Sequence, residues 1–137
     1  MRVVVDNGPA RKRVRRPKAA AIALRAATSA DAAALHALIA AHLEEGKLLP
    51  RTLDELAVHA ARFVVAVADV RIVGCAELAP LAPGVAEVRS LVVSREARRI
   101  GLGERMVDAL GTRARVEGFT RLGAFAHAPS FFVHRAF

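Results

Sequence analysis

Residues 87–104 carry the pattern in this sequence with the clearest chemical meaning. An apolar strand pattern, EVRSLVV at residues 87–93, is followed by a short turn and then by RRIGLGE at residues 98–104, which opens a helix pattern. The first N–H groups of a helix lack acceptors within the helix, and the helix dipole is positive at that end, so such a turn favours an anionic phosphate. We therefore expect the chemistry of this protein at this turn.

The glycines and arginines of the turn have separate roles. Gly101 and Gly103 have no Cβ, so a diphosphate could approach the main chain closely and φ could become positive. Arg98 and Arg99 add positive charge beside the amides. The pattern alone is equally typical of an ordinary strand-turn-helix corner. A Rossmann dinucleotide site does not fit, because Met106 stands where the third glycine belongs, and no Gly-Lys-Ser/Thr follows to make a P-loop.

Composition limits the class of protein. A chain of 137 residues with 54% hydrophobic residues predicts one globular domain. No apolar run is long enough to span a membrane, and the N-terminal pattern is not that of a signal peptide, so no membrane partner is expected. Cys75 is the only cysteine, which excludes an internal disulfide and a cysteine-cluster zinc site and favours the cytoplasm. We expect no metal, and we expect Cys75 in the core.

The net charge of +8 is concentrated at the N-terminus. Residues 1–18 hold seven of the 21 Lys and Arg residues and one of the 13 Asp and Glu residues. We interpret residues 1–18 as a basic, disordered arm and residues 19–137 as the folded domain. The arm could bind RNA, DNA or an acidic partner, but it has no aromatic residue for base stacking, so we do not expect specific nucleic-acid recognition.

Hydrophobic periodicity and turn residues predict an α/β chain. In order, the sequence predicts a strand at residues 20–26, a helix from the capping pattern at 28–31 to Gly46, a helix at 52–60, strands at 63–68, 72–78 and 85–93, a helix at 101–118, a strand at 121–126 and a short helix at 129–135. The three central strands have connections too short for crossovers, so they should be antiparallel, and the fifth strand should run parallel to the fourth.

The order of elements and the glycine turn together resemble the GNAT superfamily of acetyl-CoA-dependent N-acetyltransferases, over about residues 22–137. Four segments resemble more closely the short, single-domain amino-acid N-acetyltransferases of the N-acetylglutamate synthase type: LLPRT at 48–52, IVGCA at 72–76, EVRSLVV at 87–93 and FFVHRAF at 131–137. The resemblance implies a mixed, mostly antiparallel sheet flanked by helices. It also implies acetyl-CoA as co-substrate and a small amino acid, glutamate by the closer resemblance, as acceptor.

In that superfamily coenzyme A lies between the fourth and fifth strands, with its pantetheine arm along the fourth strand and its pyrophosphate on the glycine turn. The resemblance therefore implies cofactor contacts at Leu91, Val92, Val93, Arg98, Arg99, Ile100, Gly101, Leu102, Gly103 and Glu104. Main-chain amides make most of these contacts, so the side chains of residues 91–93 matter little.

Acetyl transfer needs a base for the amine and a group that holds the acceptor's carboxylate. Glu87 is the candidate base, acting directly or through water; the alternative is an ordinary surface carboxylate on an alternating strand. Arg51 and Arg89 are the candidate carboxylate forks, with a solvated surface charge as the alternative for each. In a regular strand Ser90 and Arg89 point to opposite faces, so both face one pocket only if the strand contains a bulge.

Two departures from the superfamily pattern leave alternatives open. The sequence contains no tyrosine, and Phe132 stands where the superfamily's thiolate-protonating tyrosine would align. The sequence also stops before the usual C-terminal hairpin, which would leave the fifth strand unpaired. A homodimer that covers this edge, a tolerant short variant and a truncated product are the three explanations. The alternatives to an amino-acid acetyltransferase are accordingly a non-catalytic acetyl-CoA-binding module and, because of the basic arm, a protein N-acetyltransferase.

Overall fold

The computed structural model describes residue 18 and residues 21–46, 48–124 and 134–136. The predicted basic arm lies outside these residues, apart from Lys18. The described helices are α1 (Ala32–Ala41), α2 (Leu43–Gly46), α3 (Leu53–Val58) and α4 (Leu102–Val116). The described strands are β1 (Ile22–Ala26), β2 (Phe63–Ala68), β3 (Arg71–Ala82), β4 (Val85–Val93), β5 (Arg121–Ala124) and β6 (His134–Ala136).

The strands form one six-stranded sheet in the order of the sequence. Neighbouring strands are antiparallel except β4 and β5, which run parallel through the crossover helix α4. The parallel pair follows the sequence prediction, because a helix between two strands allows the chain to return in the same direction. The prediction of a mixed, mostly antiparallel sheet flanked by helices is confirmed.

The sheet is covered on both faces. On one face α4 buries the predicted stripe of Leu102, Met106, Leu110 and Ala114 against alternate residues of the strands. On the other face α1 and α3 pack through Leu35, Ile39 and Leu56 against the opposite set of strand residues, which are Phe63, Val65, Cys75 and Val92. Cys75 lies in this core as expected. Two apolar layers on a sheet of this size exclude water from both faces of its central strands.

Local signals account for the helix boundaries. The N–H of Glu55 donates to Oγ1 of Thr52 at 3.1 Å, and the N–H of Thr52 donates to Oε1 of Glu55 at 2.9 Å, so the predicted capping box of α3 is present. The helix predicted from Thr28 to Gly46 is divided into a 3-10 turn, α1 and α2, with the break at His42. Gly118 ends α4 with φ of 90°, a conformation that glycine adopts without strain.

Strand β3 is longer than predicted. The sequence ends it at Leu78 because Pro80 follows, but β3 continues to Ala82, and Pro80 lies opposite Ala86 of β4. Strand β2 pairs with β3 only as far as Glu77. Pro80 is therefore at a position where β3 has one partner strand, and the missing N–H of proline breaks no ladder between two neighbours.

The predicted C-terminal helix is wrong where the structure describes it. Residues 129–133 lie outside the described part, but His134–Ala136 is a strand, and it pairs antiparallel with β5 from Gly123↔His134 to Arg121↔Ala136. The free edge of β5 offers a row of backbone donors and acceptors, which a short extended segment satisfies better than an isolated helical turn does. The expectation of an unpaired fifth strand is therefore also wrong, and β5 needs no second copy of the chain to cover it.

Candidate active site

Strand β4 contains a bulge at Ser90. Its register with β3 runs from Glu77↔Arg89 to Cys75↔Val92, so two residues of β4 stand opposite Ala76. Val88 packs on the α4 side of the sheet and Val92 packs on the α1 and α3 side, although an even spacing in a regular strand would keep them on one face. Ser90 absorbs the extra residue with φ of 52°. The side chains of Arg89 and Ser90 thus share the α1 and α3 side, which the sequence allowed only with a bulge.

The bulge lies where β4 loses its second neighbour. Strand β5 pairs with residues 85–88 of β4, and no described strand pairs with residues 89–93 on that edge. Leu91 and Val93 are half-buried toward α4, while Val92 is buried toward α1. The main chain of these three residues therefore presents an open edge, whatever their side chains are.

The glycine turn follows directly. A 3-10 turn at Arg95–Ala97 leads from β4 to Arg99, which has φ of 66°, and to Gly101, which has φ of 77° and begins α4. No side chain caps the helix, and the backbone N–H groups of residues 101–104 have no acceptor within the described part of the chain. Beyond Gly101 and its two chain neighbours, no atom of the described residues lies within 4 Å of where a Cβ of Gly101 would be. The turn is open, and its amides are available to a ligand.

Arg95 and Arg98 share one carboxylate partner, which the sequence analysis did not identify. Nη2 of Arg98 donates to Oε1 of Glu45 at 2.6 Å, and Nη2 of Arg95 donates to Oε2 of the same residue at 2.6 Å. Nε of Arg98 donates to the carbonyl of Val93 at 2.9 Å. We call Glu45, Arg95 and Arg98 the turn cluster. The bonds from Arg98 and Arg95 lower the pKa of Glu45 to about 2, so this carboxylate is ionised at neutral pH.

Glu87 is not an exposed carboxylate, since only 6% of the residue is accessible. It lies on β4 opposite Ala79, one residue before the parallel pairing with β5 ends. Nε of Arg89, the neighbour two residues along the same face, donates to Oε1 of Glu87 in a close contact. The guanidinium of Arg89 is therefore directed at the candidate base, although nearly half of its side chain remains exposed.

Arg51 lies at the centre of a second cluster. Its Nη1 donates to Oε1 of Glu77 and to Oγ of Ser90, each at 2.8 Å, and its Nε donates to Oε1 of Glu55 at 3.2 Å. The guanidinium carbon lies 5.7 Å from the centre of the Phe63 ring, in cation–π range. We call Arg51, Glu77 and Ser90 the sheet cluster. Burial lowers the pKa of Arg51, but the hydrogen bond that it donates to Glu77 and the charges of Glu77 and Glu55 outweigh burial and leave the pKa above its ordinary value.

Glu77 was missed by sequence reasoning. It is 1% exposed and occupies the middle of β3, directly opposite Arg89. A second guanidinium, that of Arg62, lies 3.9 Å from its other oxygen. The signal available in the sequence was a single acidic residue within the apolar run IVGCAEL at residues 72–78, because a charged side chain at a core position of a strand requires a partner.

The structure also limits other kinds of chemistry. Burial raises the pKa of the Cys75 thiol to about 12, so this residue is not a thiolate nucleophile at neutral pH. Among the described residues, no group of three or more His, Cys, Asp and Glu side chains could hold a metal ion. None of the helices that the structure describes is long and apolar enough to cross a membrane. Phe132, which aligns with the superfamily's tyrosine, lies outside the described residues.

Comparison with known proteins identifies relatives. The chain is 34% identical over 122 residues to an amino-acid acetyltransferase of Neisseria meningitidis, a match that covers 88% of this chain and 28% of that protein. It resembles the N-acetylglutamate synthase of Neisseria gonorrhoeae in complex with coenzyme A and N-acetyl-glutamate, with a TM-score of 0.75 and 32% identity over 80% of this chain and 26% of that one. It also resembles Rv2747 of Mycobacterium tuberculosis in complex with CoA and NLQ, with a TM-score of 0.72 and 28% identity over 80% and 67% of the two chains.

The chain thus spans little more than a quarter of the amino-acid acetyltransferase and of the synthase. A family model matches residues 26–137, a range that includes the bulged strand, the glycine turn and both clusters. On this match, the chain belongs to the acetyltransferase (GNAT) family.

Proposed function

We propose that this domain transfers an acetyl group from acetyl-CoA to the α-amine of a small amino acid, with glutamate as the first acceptor to test. The observation that supports this proposal is the continuous path along β4. A buried carboxylate at Glu87 is followed by the Ser90 bulge, by a strand edge at residues 91–93 with no described partner strand, and by a turn whose four amides have no acceptor among the described residues. Two relatives of the chain are known in complex with coenzyme A, which supports acetyl-CoA as the acetyl donor.

The main chain supplies the cofactor contacts in this proposal. Amides of residues 101–104 receive the pyrophosphate, because they lack acceptors and lie at the positive end of α4. The free edge of residues 91–93 pairs with the amide groups of the pantetheine arm. Arg98 and Arg99 add positive charge at the same turn. The carboxylate of Glu45, which accepts a hydrogen bond from Arg98, offsets part of this charge.

The reaction then follows from the position of Glu87. The amine must be neutral to attack the thioester carbonyl, and Glu87 accepts the proton directly or through a water. A new C–N bond forms, the C–S bond breaks, and coenzyme A leaves as a thiolate that takes a proton from solvent. A backbone N–H near Val92 or Val93 stabilises the carbonyl oxygen as negative charge develops. Arg51 and Arg89 hold the acceptor's carboxylate.

The test is an assay of thiol release by the purified chain with acetyl-CoA and a panel of amino acids. We expect release with at least one amino acid, and we expect Glu87→Gln to lower kcat by about 100-fold while acetyl-CoA still binds by isothermal titration. Glu117→Gln is the matched control, because Glu117 is exposed at the far end of α4. A folded protein that releases no thiol with any amino acid would contradict the proposal.

The second candidate is a non-catalytic module that binds acetyl-CoA. The close contact between Arg89 and Glu87 favours it, because the guanidinium occupies one of the two carboxylate oxygens that would accept the amine's proton. Binding of acetyl-CoA without turnover, in the wild-type protein and in Glu87→Gln alike, is the result expected for such a module. The other alternative, a protein N-acetyltransferase, depends on the basic arm, which lies outside the described residues.

A further inference from the structure

The donors of Arg51 are mostly used within the protein. A guanidinium has five N–H groups, and a carboxylate normally binds across two of its nitrogens. Both N–H groups of Nη1 are taken by Glu77 and Ser90, and the N–H of Nε is directed to Glu55. Only Nη2 has no acceptor within the described part of the chain. The two-nitrogen fork expected from the sequence is therefore not available, and Arg51 can offer an acceptor one nitrogen.

The charge of Arg51 is also compensated. Glu77 is buried at 2.8 Å from Nη1, where water screens the pair poorly. Across the described residues in contact with this cluster or with Glu87, three carboxylates (Glu55, Glu77 and Glu87) accompany three guanidiniums (Arg51, Arg62 and Arg89). The side chains around the bulge thus carry no net charge. A second negative charge on a ligand therefore adds less binding free energy here than it would beside an arginine without carboxylate partners.

The geometry points to Glu77 as a specificity-determining residue: it holds Nη1 of Arg51, leaves Nη2 for one carboxylate, and sets the preference between acceptors with neutral and with acidic side chains. This inference rests on the proposed function, because it places the amino acid beside the Ser90 bulge. Glu77 itself touches no acceptor, since it lies behind Arg51 with 1% of its surface exposed. It acts through the charge and the orientation of Arg51.

The experiment compares two acceptors of nearly equal shape, L-glutamate and L-glutamine, at saturating acetyl-CoA. The measured quantity is the ratio of kcat/KM for glutamate to kcat/KM for glutamine. Glu77→Gln removes one buried negative charge, and we expect the ratio to rise by about tenfold. A general loss of packing would change both acceptors together and leave the ratio constant. Glu77→Asp keeps the charge, so the ratio should stay at its wild-type value even where both rates fall.

Two further variants keep the test decisive. Glu117→Gln makes the same substitution at an exposed site and should not move the ratio. Arg51→Gln changes a loop residue instead of a buried strand residue and removes one of the two positive charges beside Glu77, so it should lower the ratio even if Glu77→Gln does not fold. A ratio that is unchanged in both Glu77→Gln and Arg51→Gln would overturn the inference.

Binding separates this inference from the proposed function. Titration of glutamate and glutamine into the wild-type protein and Glu77→Gln, each with coenzyme A present, gives a ratio of affinities without turnover. If no amino acid is acetylated but the affinity ratio shifts as expected, the proposed function fails and the inference stands. If acetylation occurs with a constant ratio, only the inference fails. If neither amino acid binds, both are overturned.

Discussion

The turn cluster and the sheet cluster are built from the same chemical pair but lie in different surroundings. In each, a glutamate bridges an arginine from a distant part of the chain at less than 3 Å. The turn cluster is at the surface, where two-thirds of the Arg95 side chain is exposed. In the sheet cluster Glu77 is buried, and 12% of the Arg51 side chain is exposed.

The difference teaches what each pair can do. An exposed ion pair is only slightly more stable than its two side chains separately hydrated. Phosphate oxygens can therefore replace Glu45 at Arg95 and Arg98 with little change in the stability of the fold. A buried pair cannot lose one partner without leaving a charge in a poorly hydrated place. We therefore interpret the turn cluster as exchangeable and the sheet cluster as fixed, and the following variants test that comparison in order of decreasing effect.

The largest expected effect is on stability, for Glu77→Gln. Removing one partner of a buried ion pair destabilises by about 3 kcal/mol, because Arg51 then keeps only Glu55, a more exposed carboxylate, as its partner. Urea unfolding followed by circular dichroism measures this change. The double variant Arg51→Met with Glu77→Met should recover most of the loss, since it removes both charges. A loss for Glu77→Gln no greater than that for Glu45→Gln would break the comparison.

Gly101→Val tests the main chain of the turn in place of its side chains. The residue has φ of 77°, and an added Cβ would meet no described atom beyond the neighbouring residues, so the expected cost is backbone strain of about 1–2 kcal/mol. If the turn relaxes to relieve this strain, the amides of residues 101–104 change direction and acetyl-CoA binds more weakly by isothermal titration. Gly101→Asn, which tolerates positive φ better, is the milder control. Equal acetyl-CoA binding by Gly101→Val and the wild-type protein would contradict the role of this turn.

Two substitutions at Ser90 separate the effect of its positive φ from the effect of its hydroxyl. Ser90→Gly and Ser90→Ala both remove the hydroxyl that accepts from Arg51, but only glycine adopts φ of 52° without strain. We expect the glycine variant to be more stable than the alanine variant by about 1 kcal/mol. Thermal unfolding of the two proteins measures the difference. Equal stabilities would mean that the positive φ at Ser90 does not persist in solution.

The smallest expected effect on stability is that of Glu45→Gln. The bonds from Arg98 and Arg95 lower the pKa of Glu45 to about 2, so any stabilisation is complete above the ordinary pKa of 4.5 and is lost as the pH falls through about 2. The wild-type protein and the variant should differ slightly at pH 7 and converge near pH 2 in urea unfolding. The variant also removes a negative charge from the turn, so acetyl-CoA should bind somewhat more tightly. Weaker acetyl-CoA binding would contradict an exchangeable role for Glu45.

Much of the fold could be predicted because its signals are short in range. Each of these signals depends on residues that are close in sequence. They are the stripe of α4 at a spacing of four residues, the capping box at Thr52 and Glu55, and the short connections between β2, β3 and β4. The glycine turn belongs to this class as well. Its uncapped amides follow from a helix that begins after a glycine, a residue with no side chain to cap it.

The features that the sequence did not reveal depend on distant partners. Arg51 is 26 residues from Glu77 and 39 residues from Ser90, and no periodicity relates such positions. The strand β6 forms because β5 has an edge for it to pair with, which no local propensity at residues 134–136 encodes. The positive φ of Ser90 is equally hidden, since serine is seldom found in that conformation.

The sequence by itself therefore determined the family resemblance, the order of the elements from β1 to β5 and the position of the glycine turn, because each depends on neighbouring residues. Only the tertiary structure decided that Glu87 and Glu77 are buried and that Arg51 has one nitrogen to offer. The physical reason is that burial and pairing of charges are properties of the packed sheet. Until β3, β4 and the segment before α3 come together, the same arginines and glutamates are simply solvated side chains.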